Sequence, residues 1–366
     1  MKYQGKELIE RLCSLFGPSG CEFAVAEFIS SQCSDVCDTI KTDRLGNLIA
    51  TISCGKENAT RLMVSAHMDE VGFMVNEITD DGYLKLDTVG GIEDKIISGK
   101  RVLIGDEISQ IKGVISSLAI HHKKREDRAN VTPLSAMYVD IGATSKEEAM
   151  KYADIGTYAT FDSEFYCFGA DENKLKGKAI DDRMGCAVMI EAMRRLYPVK
   201  ETLSCDIYFS FTVREEIGIS GARVAAQTIT PDFAIVLETT AIADIADVAE
   251  RSRVAIQGNG GAISLMDRST IYDKEFINSA LDLAKKKDIP VQVKKYVSGG
   301  NDAAHIHKSG VGVRTLALSV PTRYLHSPAC VADIRDYRST LDLVTEMAMS
   351  DIFDKMKGAK NGERGR

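Results

Sequence analysis

Apolar positions recur at three- and four-residue spacing over 7–16 and 21–32, which predicts two helices joined by the turn Gly17-Pro18-Ser19-Gly20. Strand-like runs follow at 39–42, 48–52 and 62–66. From about 71 to 165 the pattern shortens to two-residue alternation, with strands expected at 72–78, 83–87, 101–104, 108–116, 137–140 and 157–161. Glycine pairs and Asp-Gly turns separate these runs, the texture of a small β-barrel or sandwich. One short helix is expected inside it, at 146–152. Beyond 166, helices at 183–196, 221–227, 274–286 and 340–356 alternate with strands at 205–212, 234–237, 291–296 and 313–318. Such alternation on both sides of a β-rich insert predicts an α/β domain made of 1–70 and 166–358, with the β domain 71–165 set into it. The polar residues 359–366 read as a frayed tail.

Acids and histidines gather where the apolar runs of the α/β part stop. His67 ends one run and Asp69 follows two residues later, on the same side of an extended segment. Asp181-Asp182 precedes a helix, Glu215-Glu216 follows a buried strand, Glu238 follows another, and His326 lies in the segment Pro321 to Pro328. In open α/β sheets, groups just past strand carboxyl ends converge on one crevice. Two divalent ions held ~3.5–4 Å apart need one carboxylate touching both, plus a histidine and a carboxylate for each. Taken singly, each feature has a plainer reading: a hydrogen-bonded strand-end histidine, a helix N-cap pair, a solvated acidic loop. Acids left unpaired at the ends of buried strands are costly, however, and five such coincidences point to a metal centre. His121 and His122 in a polar loop, and His305 and His307 beyond Asp302, are the competing ligands. Capping of a helix by Asp302 is the plain reading there.

Composition narrows the partners. Acids outnumber bases by 53 to 46, a net charge of -7, which argues against nucleic acid or an anionic membrane. The one dense basic run, Lys123-Lys124-Arg125, is broken at once by Glu126 and Asp127, and 121–131 is expected to be a mobile, protease-sensitive loop. Residues 1–16 hold no uninterrupted apolar segment and no stretch approaches ~18 uncharged apolar residues, so neither a secretory signal nor a membrane span is expected. Nine scattered cysteines without CxxC pairs suit reduced, buried thiols and a cytoplasmic location. Cys33 and Cys37 share a helix, but nothing nearby supplies further ligands.

The motifs SAHMDEVGFMV (65–75), KAIDDRMGC (178–186), TVREEIGISGA (212–222), SGGNDAAHIHKSGVG (298–312) and SVPTRYLHSPA (319–329) run in one order over nearly the whole chain. On these the chain resembles metallopeptidase family 42, the glutamyl and deblocking aminopeptidases that assemble as tetrahedral dodecamers. The resemblance implies a zinc-exopeptidase-like α/β/α domain with a mixed sheet and an inserted small β-barrel used for dimerisation, the dimers building a dodecamer. It implies two divalent metal ions per chain, zinc or cobalt, with His67 and Glu238 on one, Glu216 and His326 on the other, and Asp181 bridging. Glu215 would be the general base, Asp69 the acid that orients His67, and Gly299, Gly300 and Asp302 would lie near the substrate amine. The implied activity is removal of the amino-terminal residue from short peptides. Three positions depart from the family pattern: Glu238 where Asp is usual, Asn301 where Thr is common, and Gly260-Gly261 without a Pro often found there. A related di-zinc amidase, deacylase or carboxypeptidase, and a non-catalytic assembly or glucan-handling protein, are the competing functions.

Overall fold

Four parallel strands, Cys205–Thr212, Thr60–His67, Phe233–Ala241 and Arg314–Thr322, lie side by side at the centre of an eight-stranded mixed sheet. In this computed structural model, residues 1–297 and 299–362 are described, the side chains of 358–362 excepted. The central strands are buried almost end to end, on both pleat faces, which is why they read as continuous apolar runs rather than as alternation. Helix Ile180–Leu196 packs on three of them, chiefly Thr60–His67 and Phe233–Ala241 and less extensively Arg314–Thr322, and is itself covered by helices Gly5–Ser14 and Ile334–Met349. Helix Ser220–Ile229 rests on Cys205–Thr212 and Thr60–His67 and touches the short helix Ala303–Ile306. Antiparallel strands finish the sheet on each side: Leu48–Ile52 and then Thr39–Thr42 at one edge, Gly261–Ile263 at the other, where Val291–Val293 pairs outermost and in parallel.

Just past His67 the chain enters a closed six-stranded barrel, ordered Gly72–Ile78, Leu84–Val89, Tyr138–Asp140, Gln110–Ser116, Arg101–Gly105 and Tyr158–Phe161. Alternate residues point inward and form a core separate from that of the sheet, with Phe73 edge-on to Phe161 at 5.2 Å between ring centroids. Barrel closure leaves no unpaired edge. The chain then passes through a small antiparallel sheet, Tyr166–Phe168, Lys174–Gly177 and Cys330–Asp333, which the sequence pattern did not reveal.

Three other expectations need correction. The closing helix expected at 340–356 is two helices, Ile334–Met349 and Ile352–Gly362. Ser350 is extended, and its hydroxyl bonds Met347 O at 2.7 Å, competing for a carbonyl the helix would otherwise use. The strand expected at 291–296 stops at Val293. Of the tail at 359–366, the first four residues continue the last helix and 363–366 lie outside the described residues. Among the described residues no helix is long and apolar enough to cross a membrane, and all nine cysteines are free.

Candidate metal centre

Because the four central strands run in parallel, their carboxyl ends open on one edge of the sheet, and the helix start bearing Asp181 reaches the same place. His67 is the last residue of its strand, Glu238 lies within Phe233–Ala241, and Glu215 with Glu216, and His326, follow the two strands that flank this pair, Cys205–Thr212 and Arg314–Thr322. Nε2 of His67 lies 3.3 Å from Oδ1 of Asp181 and 3.9 Å from Oε2 of Glu238. Nε2 of His326 lies 3.5 Å from Oδ2 of Asp181 and 3.3 Å from Oε1 of Glu216. The two oxygens of one carboxylate thus face two imidazoles, each with a second carboxylate beside it. Donor atoms of His67, Asp181 and Glu238, of Asp181, Glu216 and His326, and of His67, Glu215 and Glu216 fall within 4.8 Å of one another.

Both rings are held from behind. A carbonyl can only accept, so Nδ1 of His67 donates to Asp69 O at 3.1 Å and Nδ1 of His326 to Gly91 O at 2.7 Å. Each Nε2 is thereby turned toward Asp181, the arrangement that aims metal-ligating histidines. The Asp69 carboxylate, expected on the His67 ring, stands 3.5 Å from Nδ1. Its stronger bonds are to backbone: Oδ1 accepts from Glu215 N at 3.0 Å and Oδ2 from Glu216 N at 3.1 Å, with the Ser19 hydroxyl also donating to it. One buried acid therefore fixes the loop carrying two others.

The acids are poorly accommodated as bare charges. Burial pushes Glu238 and Glu215 well above the usual carboxylate range, and raises Glu216 to about 7 with the Asp181 charge adding to it. Burial opposes the charged imidazole of His326, yet its bond to Asp181 and the charge of Glu216 lift it to about 9. Oε1 of buried Glu238 has no hydrogen-bond partner among the described residues. A crowd of buried carboxylates around two aimed imidazoles fits cations, which would satisfy the orphan oxygen and offset the repulsion.

Asp182 follows Asp181 across a cis peptide; its Oδ1 accepts from Gly185 N at 3.1 Å. Residue 185 must be glycine, because a Cβ there would stand 2.3 Å from Asp182 Oδ2. Ala179, Arg214, Tyr324 and His326, all at or beside the site, adopt left-handed backbone that costs a non-glycine residue roughly 1 kcal/mol or more. A cavity of about 530 Å³ opens on the cluster, with Gly299, Gly300, Asn301, Thr239 and Lys294 in its wall. Asp302 lies behind it: Ser65 and Thr212 hydroxyls donate to its carboxylate at 3.0 and 2.6 Å. Its side chain does not cap the helix, and Asn301 Oδ1 accepts from Ala303 N at 2.9 Å instead. His121 and His122 sit in an exposed barrel loop, and His307 bonds Ala303 O at 2.6 Å, so none of the competing histidines reaches the cluster.

Sequence reasoning missed the charges beneath the site. Glu70 takes the Lys178 ammonium at 2.5 Å and the Thr160 hydroxyl at 2.9 Å, tying a barrel strand to the segment that leads into Asp181. Arg183, fully buried, donates to the carbonyls of Leu12, Gly17 and Met68. The only signal was a lysine and an arginine embedded in an otherwise buried motif.

The family described as M42 glutamyl aminopeptidase matches residues 46–343 of the chain. The chain belongs to that family. A putative aminopeptidase of Acetivibrio thermocellus is 37% identical over 341 residues, 93% of this chain and 97% of that one. The solved TET aminopeptidase of a marine sediment archaeon of the Thaumarchaeota superposes with a TM-score of 0.90 at 30% identity, covering 95% of this chain and 98% of its own. The Pyrococcus horikoshii TET1 peptidase, described as able to assemble into a tetrahedron or a large octahedral shell, gives 0.82 at 32%, covering 93% and 98%. This M42 protein is thus a peptide hydrolase of the aminopeptidase type, from a metallopeptidase family, on a mixed α/β fold.

Proposed function

We infer that this aminopeptidase removes the first residue of short peptides, using two divalent cations held across Asp181. The observation that carries the reading is the pair of Nε2 atoms facing opposite oxygens of that one carboxylate. His67 and Glu238 would hold one ion, Glu216 and His326 the other, a nitrogen-and-oxygen donor set suited to zinc or cobalt. The extra methylene of Glu238 is compatible with this, since its Oε2 already reaches the His67 ring face of the cluster. Bound there, the cations would acidify a water and polarise the scissile carbonyl.

The residues supply the rest. Glu215 accepts the proton of the attacking water and delivers it to the leaving amine; burial, by raising its proton affinity, favours that role. Asp69 holds Glu215 and Glu216 in register through their backbone N–H groups. Gly299 and Gly300 leave the cavity wall open for the substrate amine, and Asp302 stiffens that wall from behind. Glu215→Gln should retain its metal and lose at least ~100-fold in turnover; near-normal turnover would reject the role.

By extension from the shell-forming peptidase the chain assembles with its own copies; as the family resemblance implies, the barrel would pair two copies and the pairs would build a dodecamer, with a native mass twelve times that of one chain. Buried free thiols suit a reducing cytoplasm.

A further inference from the structure

A second cavity, of about 780 Å³ against 530 Å³ at the cluster, lies between helix Phe23–Cys33, the barrel and the loop that carries Glu215. Arg214, the residue before Glu215, lines it. Its Nε is buried, and its guanidinium makes no hydrogen bond or ion pair among the described residues. Tyr158 stands in the same wall with its hydroxyl equally unused, close to the turn that ends at Gly20: a Cβ on Gly20 would lie 2.5 Å from the hydroxyl oxygen. Burial raises this hydroxyl above its ordinary value while the Arg214 charge lowers it, so the two donors lie within reach of one another's field.

The plain account of Arg214 is a solvated surface charge. Its Nε argues against that, since a buried N–H without an acceptor is costly. A guanidinium and a hydroxyl on one wall are the donors a carboxylate takes. A simple anion would be repelled there, because Glu27, Asp106 and Glu107 line the same cavity. Asp106 is occupied by the N–H groups of Ile108 and Ser109, but Glu107 takes only the Cys21 thiol, at 3.1 Å. Opposite charges that share a cavity without pairing suit a ligand that bears both.

The geometry points to a second ligand site here, for a free amino acid in its zwitterionic form, its carboxylate on Arg214 and Tyr158 and its ammonium on Glu107. That is the chemical class of an aminopeptidase's own product. The site bears on turnover through the backbone. Arg214 is held at φ 56° with its N–H on Glu22 Oε1 at 3.1 Å, and Asp69 takes the next two N–H groups. An occupant on the guanidinium therefore acts on the residue that leads into Glu215. This link rests on the base role inferred for Glu215; the site itself does not.

The test is steady-state hydrolysis of leucyl-nitroanilide by zinc-loaded wild type, Arg214→Gln and Glu107→Gln, with added leucine, N-acetylleucine or 3-methylbutylamine. At the cations leucine competes with substrate and raises KM, whereas at the second site it changes kcat. Leucine should change the kcat of the wild type, and the two single-charge analogues should not. Each variant should need roughly 10- to 100-fold more leucine for the same change. Leucine that raises KM alone, variants that respond like the wild type, or an analogue that matches leucine overturns the inference. An altered native mass of Arg214→Gln overturns it too, placing that guanidinium in a contact between copies. Near-normal turnover by Glu215→Gln, still responsive to leucine, would end the base assignment and leave this site standing.

Discussion

His326 Nδ1 donates to Gly91 O at 2.7 Å, and the two residues come from different bodies of the fold, one from the sheet domain and one from a loop of the barrel. The barrel therefore aims a candidate ligand. The neighbouring Gly90 sits at φ +86, where an added Cβ would lie 2.8 Å from Val71 Cγ1 and 3.3 Å from Glu216 Cβ. Gly90→Ala should push this loop off His326 and weaken cation binding roughly 10- to 100-fold while the fold persists. Chelator competition measures it; unchanged affinity would show that the loop does not aim the ring.

Asp69 acts through the backbone. Asp69→Ala strands the N–H groups of Glu215 and Glu216, each losing its buried acceptor. The expected loss is about 1–3 kcal/mol per group in urea denaturation, together with a fall in turnover. If the acid served only the His67 ring, stability would be nearly unchanged.

Asp336, which is not one of the residues of the candidate cluster, gives a pH dependence of its own. Burial, helped by the charge of Asp333, pushes its carboxyl from 3.8 up to about 7, although N–H groups of Gly258 and Gly260 and the charge of Lys174 oppose the shift. The folded state therefore holds this proton more tightly than the unfolded chain. That stabilising contribution is complete below 3.8 and is lost as pH climbs through about 7. Asp336→Asn removes it, so the stability of the variant relative to wild type should rise between about pH 4 and pH 8. A pH-independent difference in urea midpoint would contradict this.

The barrel loop at 121–131 is exposed almost throughout and holds only the one-turn helices Ile120–His122 and Arg125–Asp127. Trypsin should cut first after Lys123, Lys124 or Arg125, without loss of the sheet domain. Strong amide-exchange protection across this loop would contradict the expectation.

Much of the site was legible because its residues stand where the pattern changes. His67, Glu216, Glu238 and His326 each interrupt or follow a buried strand, and Asp181 interrupts the approach to a buried helix, so a polar group there is conspicuous. The barrel was legible because one face of each strand is buried and the other wet, which imprints alternation. What escaped depends on contacts between distant segments. The strands Tyr166–Phe168 and Cys330–Asp333 are too short to carry a period, and they pair with Lys174–Gly177 only after the chain has closed. The preference of Asp69 for backbone N–H groups 146 and 147 residues away is equally invisible in local spacing. So is the burial of Asp302 against Ser65 and Thr212, where local propensity suggested a cap.

The shared carboxylate of Asp181 is the centre of the account, and cation stoichiometry tests it most directly. Wild type and Asp181→Ala, loaded with zinc and freed of excess, should be compared by elemental analysis. Two ions per chain in the wild type and loss of both in the variant is the predicted result. A wild type that keeps no ion, or a variant that keeps two, would contradict it.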